Sequence, residues 1–178
     1  MDNLKNTLFS EYNLNGLSLK NRIVMAPMTR NFSPNGVPAD YAPTYYSKRA
    51  AGGVGLIMTE GVEVSHPSSS GYPDCPKLDS DEAKRMWEKV VSEVHGNGSA
   101  IFCQLWHVGG IRKLGMPPLP EIPGFTPSGY VKPGKKVAYE MTLEDIQELV
   151  QVYALDAKIC EELGFDGVEI HGAHGYLI

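Results

Sequence analysis

The sequence predicts an α/β fold of alternating parallel strands and helices, amounting to half of a barrel. Four short apolar runs, at 22–27, 54–60, 100–106 and 167–171, have the length and β-branched content of strands buried on both faces. Stretches of helical periodicity separate them, so the order is strictly β-α-β-α-β-α-β, which calls for parallel pairing through right-handed crossovers. No GxGxxG or GxxxxGK[ST] follows a strand, so a dinucleotide-binding or P-loop sheet lacks its central feature. What remains is an open sheet or part of a barrel. Eight βα units take about 250 residues, whereas this chain has 178 and four such strands.

Each element has a local reason. Tyr12-Asn13-Leu14 and Leu17-Ser18-Leu19 flank Asn15-Gly16, the dipeptide that supplies two positive-φ residues to a type I′ hairpin turn. The run Arg22-Ile23-Val24-Met25-Ala26-Pro27 is the first strand, closed by a Pro that cannot donate to a ladder. A loop over 31–40 leads to a helix over 41–51, with Pro43 in its first turn and Gly52-Gly53 as its stop. The second strand, 54–60, ends at Gly61, and a polar loop spans 66–76. Asp79-Ser80-Asp81-Glu82 starts a helix in which Met86, Val90, Val91 and Val94 recur at helical spacing until Gly96-Asn97-Gly98. The third strand is Ala100–Trp106. The excursion from His107 to Met141, rich in Pro, Gly, Lys and Ser, is too long for a simple connector and is expected to cover a site. Thr142-Leu143-Glu144-Asp145 has the pattern of a capping box, and Ile146, Leu149, Val150, Tyr153, Ala157 and Cys160 trace one apolar helix face before Gly164. The last strand is Gly167–His171.

Composition narrows the function classes. The chain is 42% hydrophobic and 21% charged, an ordinary globular balance. Its net charge of -5 gives no electrostatic case for nucleic acid or an anionic membrane as partner. Cys75, Cys103 and Cys160 are too few and scattered for a disulfide framework or a CxxC metal site. The N-terminal stretch lacks the cationic and apolar regions of a signal peptide, and no run approaches a membrane span. A soluble protein of the reducing cytoplasm is expected.

In such folds chemistry sits at the carboxyl ends of strands, where the βα loops converge. Thr29, after Pro27-Met28, reads on its own as a turn residue bonding its own backbone, and Glu60 as a cap or salt-bridge partner. Gln104 sits inside an apolar strand, where an unpartnered amide costs roughly 1–3 kcal/mol. It must bond either a neighbouring loop or a ligand edge offering both donor and acceptor. The densest signal is His171-Gly172-Ala173-His174-Gly175-Tyr176: two imidazoles and a phenol separated by small residues. A metal pair lacks a third ligand and the HExxH helix. Two donors clamping an oxygen that gains negative charge, beside a neutral proton donor, account for all three groups. Histidines bonded to backbone carbonyls account for one.

These residues form longer segments that resemble a known family: Asn21–Arg30, Tyr45–Ala50, Ile57–Gly61, Cys103–His107 and Gly164–Leu177. In this order they are similar to the N-terminal half of the old yellow enzymes, FMN-dependent ene-reductases with a TIM (β/α)8 barrel. The resemblance runs through nearly the whole chain and makes residues 1–178 an incomplete half of an FMN-binding oxidoreductase domain, with the initial hairpin plugging the barrel floor. It implies that Pro27, Met28 and Thr29 lie against the flavin, that the Thr29 hydroxyl bonds the pyrimidine carbonyl, and that Gln104 meets N3-H and a carbonyl together. It further implies that Gly61 lets the backbone approach the ring and that His171 is also a cofactor contact. His171 and His174 would hold the carbonyl oxygen of an activated alkene, an enone or enal, while hydride from flavin N5 reaches its β-carbon and Tyr176 protonates the α-carbon. NADPH or NADH would be the reductant. One departure from the family pattern is Gly110-Ile111 ahead of Arg112, which is expected to displace a loop charge.

The resemblance places the flavin phosphate anchor in loops of the other half. Half a barrel also exposes two sheet edges and an apolar inner face. Weak or no FMN binding by this chain alone is therefore expected, with a complementary C-terminal half or self-association completing it. Two other readings stand beside the ene-reductase: a truncated inactive fragment, and a non-catalytic assembly or binding subunit that lacks the phosphate site.

Overall fold

The computed structural model describes residues 6–178; residues 1–5, the start of the stretch read above as lacking a leader, lie outside them. The hairpin is present as β1 (Tyr12–Leu14) and β2 (Leu17–Leu19), antiparallel. Asn15 and Gly16 both have positive φ, 49° and 97°, the signature of the type I′ turn. The main sheet holds β3 (Val24–Met25), β4 (Leu56–Glu63), β5 (Ala100–Trp106) and β10 (Gly167–Ile170) in the order β10-β5-β4-β3, all parallel. Helices α1 (Ala42–Ala51), α2 (Asp81–Gly96) and α3 (Leu143–Glu162) connect them. The Ser80 side chain caps α2 by accepting from Ala83 N, and Thr142 with Asp145 forms the expected capping box on α3.

Strand alternation sorts the side chains. Ile101, Cys103 and Leu105 of β5 join Trp87, Val90, Val94 and Cys160 in the core between sheet and helices. Phe102 of β5 turns to the opposite, inner face, with Met58 and the hairpin leucines Leu14, Leu17 and Leu19, over Leu56 and Ala100. Leu56 and Ala100 are the first residues of their strands, so the hairpin seals the amino-terminal end of the sheet.

The structure corrects several expectations. The first strand shrinks to two residues, and Val24 is 49% exposed rather than buried on both faces; it belongs to an edge strand whose inner side faces open space. The second strand runs three residues past Glu60, and its register to β5 shifts between Met58 and Gly61. On α3, Leu149 and Cys160 are buried, but Val150 is 59% exposed. With Ile146, Val168 and Ile170 it lines an open apolar groove of about 480 Å³.

The excursion is structured rather than a bare loop. It holds β6 (Phe125–Thr126) paired with β9 (Tyr139–Glu140), and β7 (Tyr130–Lys132) paired with β8 (Lys135–Lys136). Arg112 is not a displaced surface charge: it is 2% exposed, and its guanidinium donates to the carbonyls of Ser70, Met116, Leu119 and Ile122. All three cysteines are free and buried.

Candidate functional site

Buried polar residues gather at the carboxyl ends of β4 and β5. The register sets Gly61 opposite Gln104, and Gln104 opposite Glu169 of β10. Gln104, 5% exposed, donates from Nε2 to Glu169 Oε1 at 3.0 Å, and its backbone N–H donates to Thr59 Oγ1 at 3.0 Å. Part of the amide's capacity is thus spent on a neighbouring strand. The side chain at Gly61 is missing for a packing reason, since a Cβ there would stand 2.5 Å from Cε3 of Trp106.

Glu60 is the ion-pair partner that its position suggested. Its carboxylate accepts from the Arg30 guanidinium, from Arg30 N at 3.1 Å and from Tyr46 Oη at 3.4 Å. Arg30 also lies over the Tyr45 ring at 4.0 Å. Burial raises the Tyr46 phenol far above its ordinary value, with the charge of Glu60 adding to it. This cluster ties the segment Pro27-Met28-Thr29 to the strand residue before Gly61. Met28 is 48% exposed, and Thr29 is exposed as well.

The dense His/His/Tyr segment closes on itself. After β10 the chain takes positive φ at His174 (62°) and Gly175 (68°), left-handed positions that fold it back sharply. The ring centroids of His171 and His174 come within 5.5 Å, those of His171 and Tyr176 within 5.0 Å and those of His174 and Tyr176 within 6.3 Å. Trp106 backs the group, 5.9 Å from His171 and 5.0 Å from Tyr176. Burial lowers the His171 pKa, with the neighbouring His174 adding to the effect and Glu169 opposing it, which favours the neutral imidazole. Burial, then Tyr72, pushes the Tyr176 phenol up to about 12, which keeps its proton in place at neutral pH.

Sequence reading missed three contributors. Tyr72, from the loop after β4, stacks on Trp106 at 5.4 Å and reaches Tyr176 Oη at 3.3 Å. His107 accepts from Gly109 N at its Nδ1 (3.0 Å), so its Nε2 carries the proton toward Ser68 Oγ (3.0 Å), which in turn meets His66 Nδ1 at 2.8 Å. Arg112 organises the neighbouring loop. The signal available in sequence was Gly71 ahead of Tyr72: a Cβ at Gly71 would meet Val108 at 2.6 Å, so the two strand-exit loops pack tightly there.

The chain matches the model of the NADH:flavin oxidoreductase / NADH oxidase family over residues 7–178. The chain belongs to this family. It is 36% identical over 181 residues to 12-oxophytodienoate reductase 2 of Arabidopsis thaliana, covering 96% of this chain and 48% of that protein. It is 38% identical over 188 residues to 12-oxophytodienoate reductase 7 of Oryza sativa subsp. japonica, covering 96% and 46%. Among solved structures, morphinone reductase in complex with tetrahydroNAD aligns with a TM-score of 0.84 at 32% identity, covering 96% of this chain and 50% of that one. Old yellow enzyme from Pichia sp. AKU4542 aligns at 0.83 and 35% identity, covering 96% and 47%. The chain thus spans about half the length of the family relatives it matches, and its four-stranded sheet is part of their α/β barrel. Among the described residues no helix is long and apolar enough to cross a membrane.

Proposed function

We propose that the chain is the N-terminal half of an FMN-binding barrel domain, residues 1–178, that reduces the C=C bond of α,β-unsaturated carbonyl compounds with NADPH or NADH. The observation that carries this reading is the triangle of His171, His174 and Tyr176 against Trp106, at the carboxyl ends of strands in a partial barrel of this family. Relatives named as 12-oxophytodienoate reductases, and a morphinone reductase complex with tetrahydroNAD, support the substrate class and the nicotinamide reductant.

The residues fit the flavin. Gln104 spends one N–H on Glu169, and its Oε1 accepts no hydrogen bond among the described residues. A ring edge that presents N–H beside a carbonyl completes such an amide. The exposed Thr29 hydroxyl makes no side-chain hydrogen bond among those residues either, which suits a carbonyl acceptor, and it follows a half-buried Pro27 and an exposed Met28. Gly61 offers backbone only, because Trp106 fills the space beside it. When bound, reduced FMN supplies the hydride.

The chain's own residues do the rest. His171 and His174 each donate to the substrate carbonyl oxygen, stabilising the charge that builds on it. Tyr176, held protonated by burial and by Tyr72, gives its proton to the α-carbon. Trp106 and Tyr72 exclude water from one side of the phenol. A complementary C-terminal half brings the phosphate anchor.

The test is the visible spectrum after incubation with FMN and desalting. This chain alone is expected to elute nearly colourless. Combined with the C-terminal half of a 12-oxophytodienoate reductase, it is expected to retain flavin absorbance that bleaches with NAD(P)H and returns on adding an enone, with Tyr176→Phe slowing the return about 100-fold or more. A colourless completed barrel, or a return indifferent to Tyr176→Phe, overturns the reading.

A further inference from the structure

Two phenols share one indole. Tyr72 lies on Trp106 at 5.4 Å with planes 23° apart, and Tyr176 meets the same ring edge-on at 5.0 Å and 76°. The separation of the two hydroxyl oxygens, 3.3 Å, is therefore set by the shared ring of Trp106. Neither hydroxyl has another hydrogen-bond partner among the described residues. Tyr72 is 39% exposed, whereas Tyr176 is the more enclosed of the two. A phenol hydroxyl turns about its C–O bond and takes the orientation that its partner selects. For Tyr176 that partner is Tyr72.

We propose that Tyr72 is the positioning residue for Tyr176: it selects the orientation of the Tyr176 hydroxyl and links that oxygen to solvent. The proposal rests on Tyr176 being the proton donor, as argued above. The steps balance without a further reactant. As the O–H bond of Tyr176 breaks and a C–H bond forms at the α-carbon, the bonding pair stays on Tyr176 Oη. The Tyr72 hydroxyl then turns to donate to that oxygen. Water at the exposed side of Tyr72 supplies the replacement proton as Tyr72 passes its own across. Tyr72 and Cys75 from the loop after β4 bear on the ionisation of Tyr176, and the titratable rings of His171 and His174 from the segment after β10 also face it.

The test requires neither flavin nor substrate, so it is separable from the functional reading. The 178-residue chain is labelled with ring-carbon-13 tyrosine, and the Tyr176 resonance is identified by its loss in Tyr176→Phe. In the parent, Tyr176 is expected to titrate with a midpoint of about 12. In Tyr72→Phe, which keeps the ring stacked on Trp106 but removes the hydroxyl facing Tyr176 Oη, the midpoint is expected to move by about one unit, a roughly 10-fold change in acid dissociation. The reciprocal variant, Tyr176→Phe, is expected to move the midpoint of Tyr72. Unchanged tryptophan emission at pH 8 shows that the stack survives. Midpoints that stay where they are in both variants overturn the proposal, and a Tyr176 that gives no proton to the enone while the midpoints do shift overturns only the functional reading.

Discussion

Replacing Arg112 by Ala is expected to release the excursion while leaving the sheet intact. The guanidinium donates at 2.9 Å to Ile122 O, 2.7 Å to Ser70 O and 2.9 Å to Met116 O, and also reaches Leu119 O. Each hydrogen bond to a charged group nets about 1.5–3 kcal/mol, but these are not additive, because carbonyls freed by the substitution regain water once the loop opens. The ceiling is therefore the cost of breaking one buried charged network, about 3–5 kcal/mol. That energy is lost locally, since the carbonyls served lie in the loops after β4 and β5 and none is in the main sheet. Amide hydrogen exchange resolves the two regions. Protection across 113–131 is expected to fall by about two to three powers of ten, while residues 100–106 keep theirs. Arg112→Lys is expected to rescue little, because a single ammonium cannot span carbonyls arranged around a planar fork. Unchanged protection over 113–131, or an equal loss within β5, would refute the assignment of Arg112 as the organiser of that loop. The loop also underlies the site: Leu177 N donates to His107 O at 3.3 Å, and Gly109 packs so closely that a Cβ would stand 2.7 Å from Leu177 N.

Two further outcomes follow from the same geometry. Gly61→Ala places a methyl group against the Trp106 ring and is expected to cost about 1–3 kcal/mol, read from urea unfolding; the cost should shrink in a Trp106→Val background, and a full cost there would show that the clash lies elsewhere. His107 is held neutral by burial, its pKa lowered from 6.5 to about 3. The unfolded chain therefore binds the extra proton throughout that window. Stability is lost progressively as pH falls from 6.5 toward about 3, and His107→Gln, which can still accept from Gly109 N and donate to Ser68, is expected to flatten that slope; parallel Tm-against-pH curves for the two proteins would contradict it.

Most of the strand and helix order is legible in the sequence because apolar runs and helical periodicity report burial directly. Ala100–Trp106 is strand from end to end as expected, and Asn15-Gly16 is the turn its residue types demand. What periodicity cannot convey is which face of a strand has a neighbour. Val24 sits in an apolar run yet is half exposed, because burial of an inner face depends on strands across the barrel and not on its own sequence. The register shift between Met58 and Gly61 was hidden for a related reason: the ring that packs against Gly61 there belongs to Trp106, 45 residues on. In the site, the His171-to-Tyr176 segment was visible because six consecutive residues carry it. That Gln104 needs a partner was visible, but not that Glu169 takes one of its hydrogens. Tyr72 was marked only by the Gly71 before it, for its partner lies 104 residues away, and Arg112 only as a displaced charge, because its acceptors are backbone carbonyls that no side-chain pattern marks.

The two ends of the sheet are built from opposite chemistry. At the amino-terminal end the hairpin covers Leu56 and Ala100 with leucines, so the floor is dry and gains hydrophobic stabilisation at every contact. At the carboxyl end, Thr59, Glu60, Glu63, Ser68, Gln104, His107 and Arg112 are all buried. Each would cost about 1–3 kcal/mol or more if left without a partner, so each is bonded to another: Thr59 to Gln104, Glu60 to Arg30, Glu63 to Ser70, Ser68 to His107, and Arg112 to carbonyls. Such a network contributes little net stability relative to apolar packing. Beside it the aromatic wall of Trp106 and Tyr72 packs through ring contacts against His171 and Tyr176. Hydrogen-bond donors fixed in advance need no reorganisation when charge develops beside them, and the apolar floor supplies the stability that the polar end forgoes.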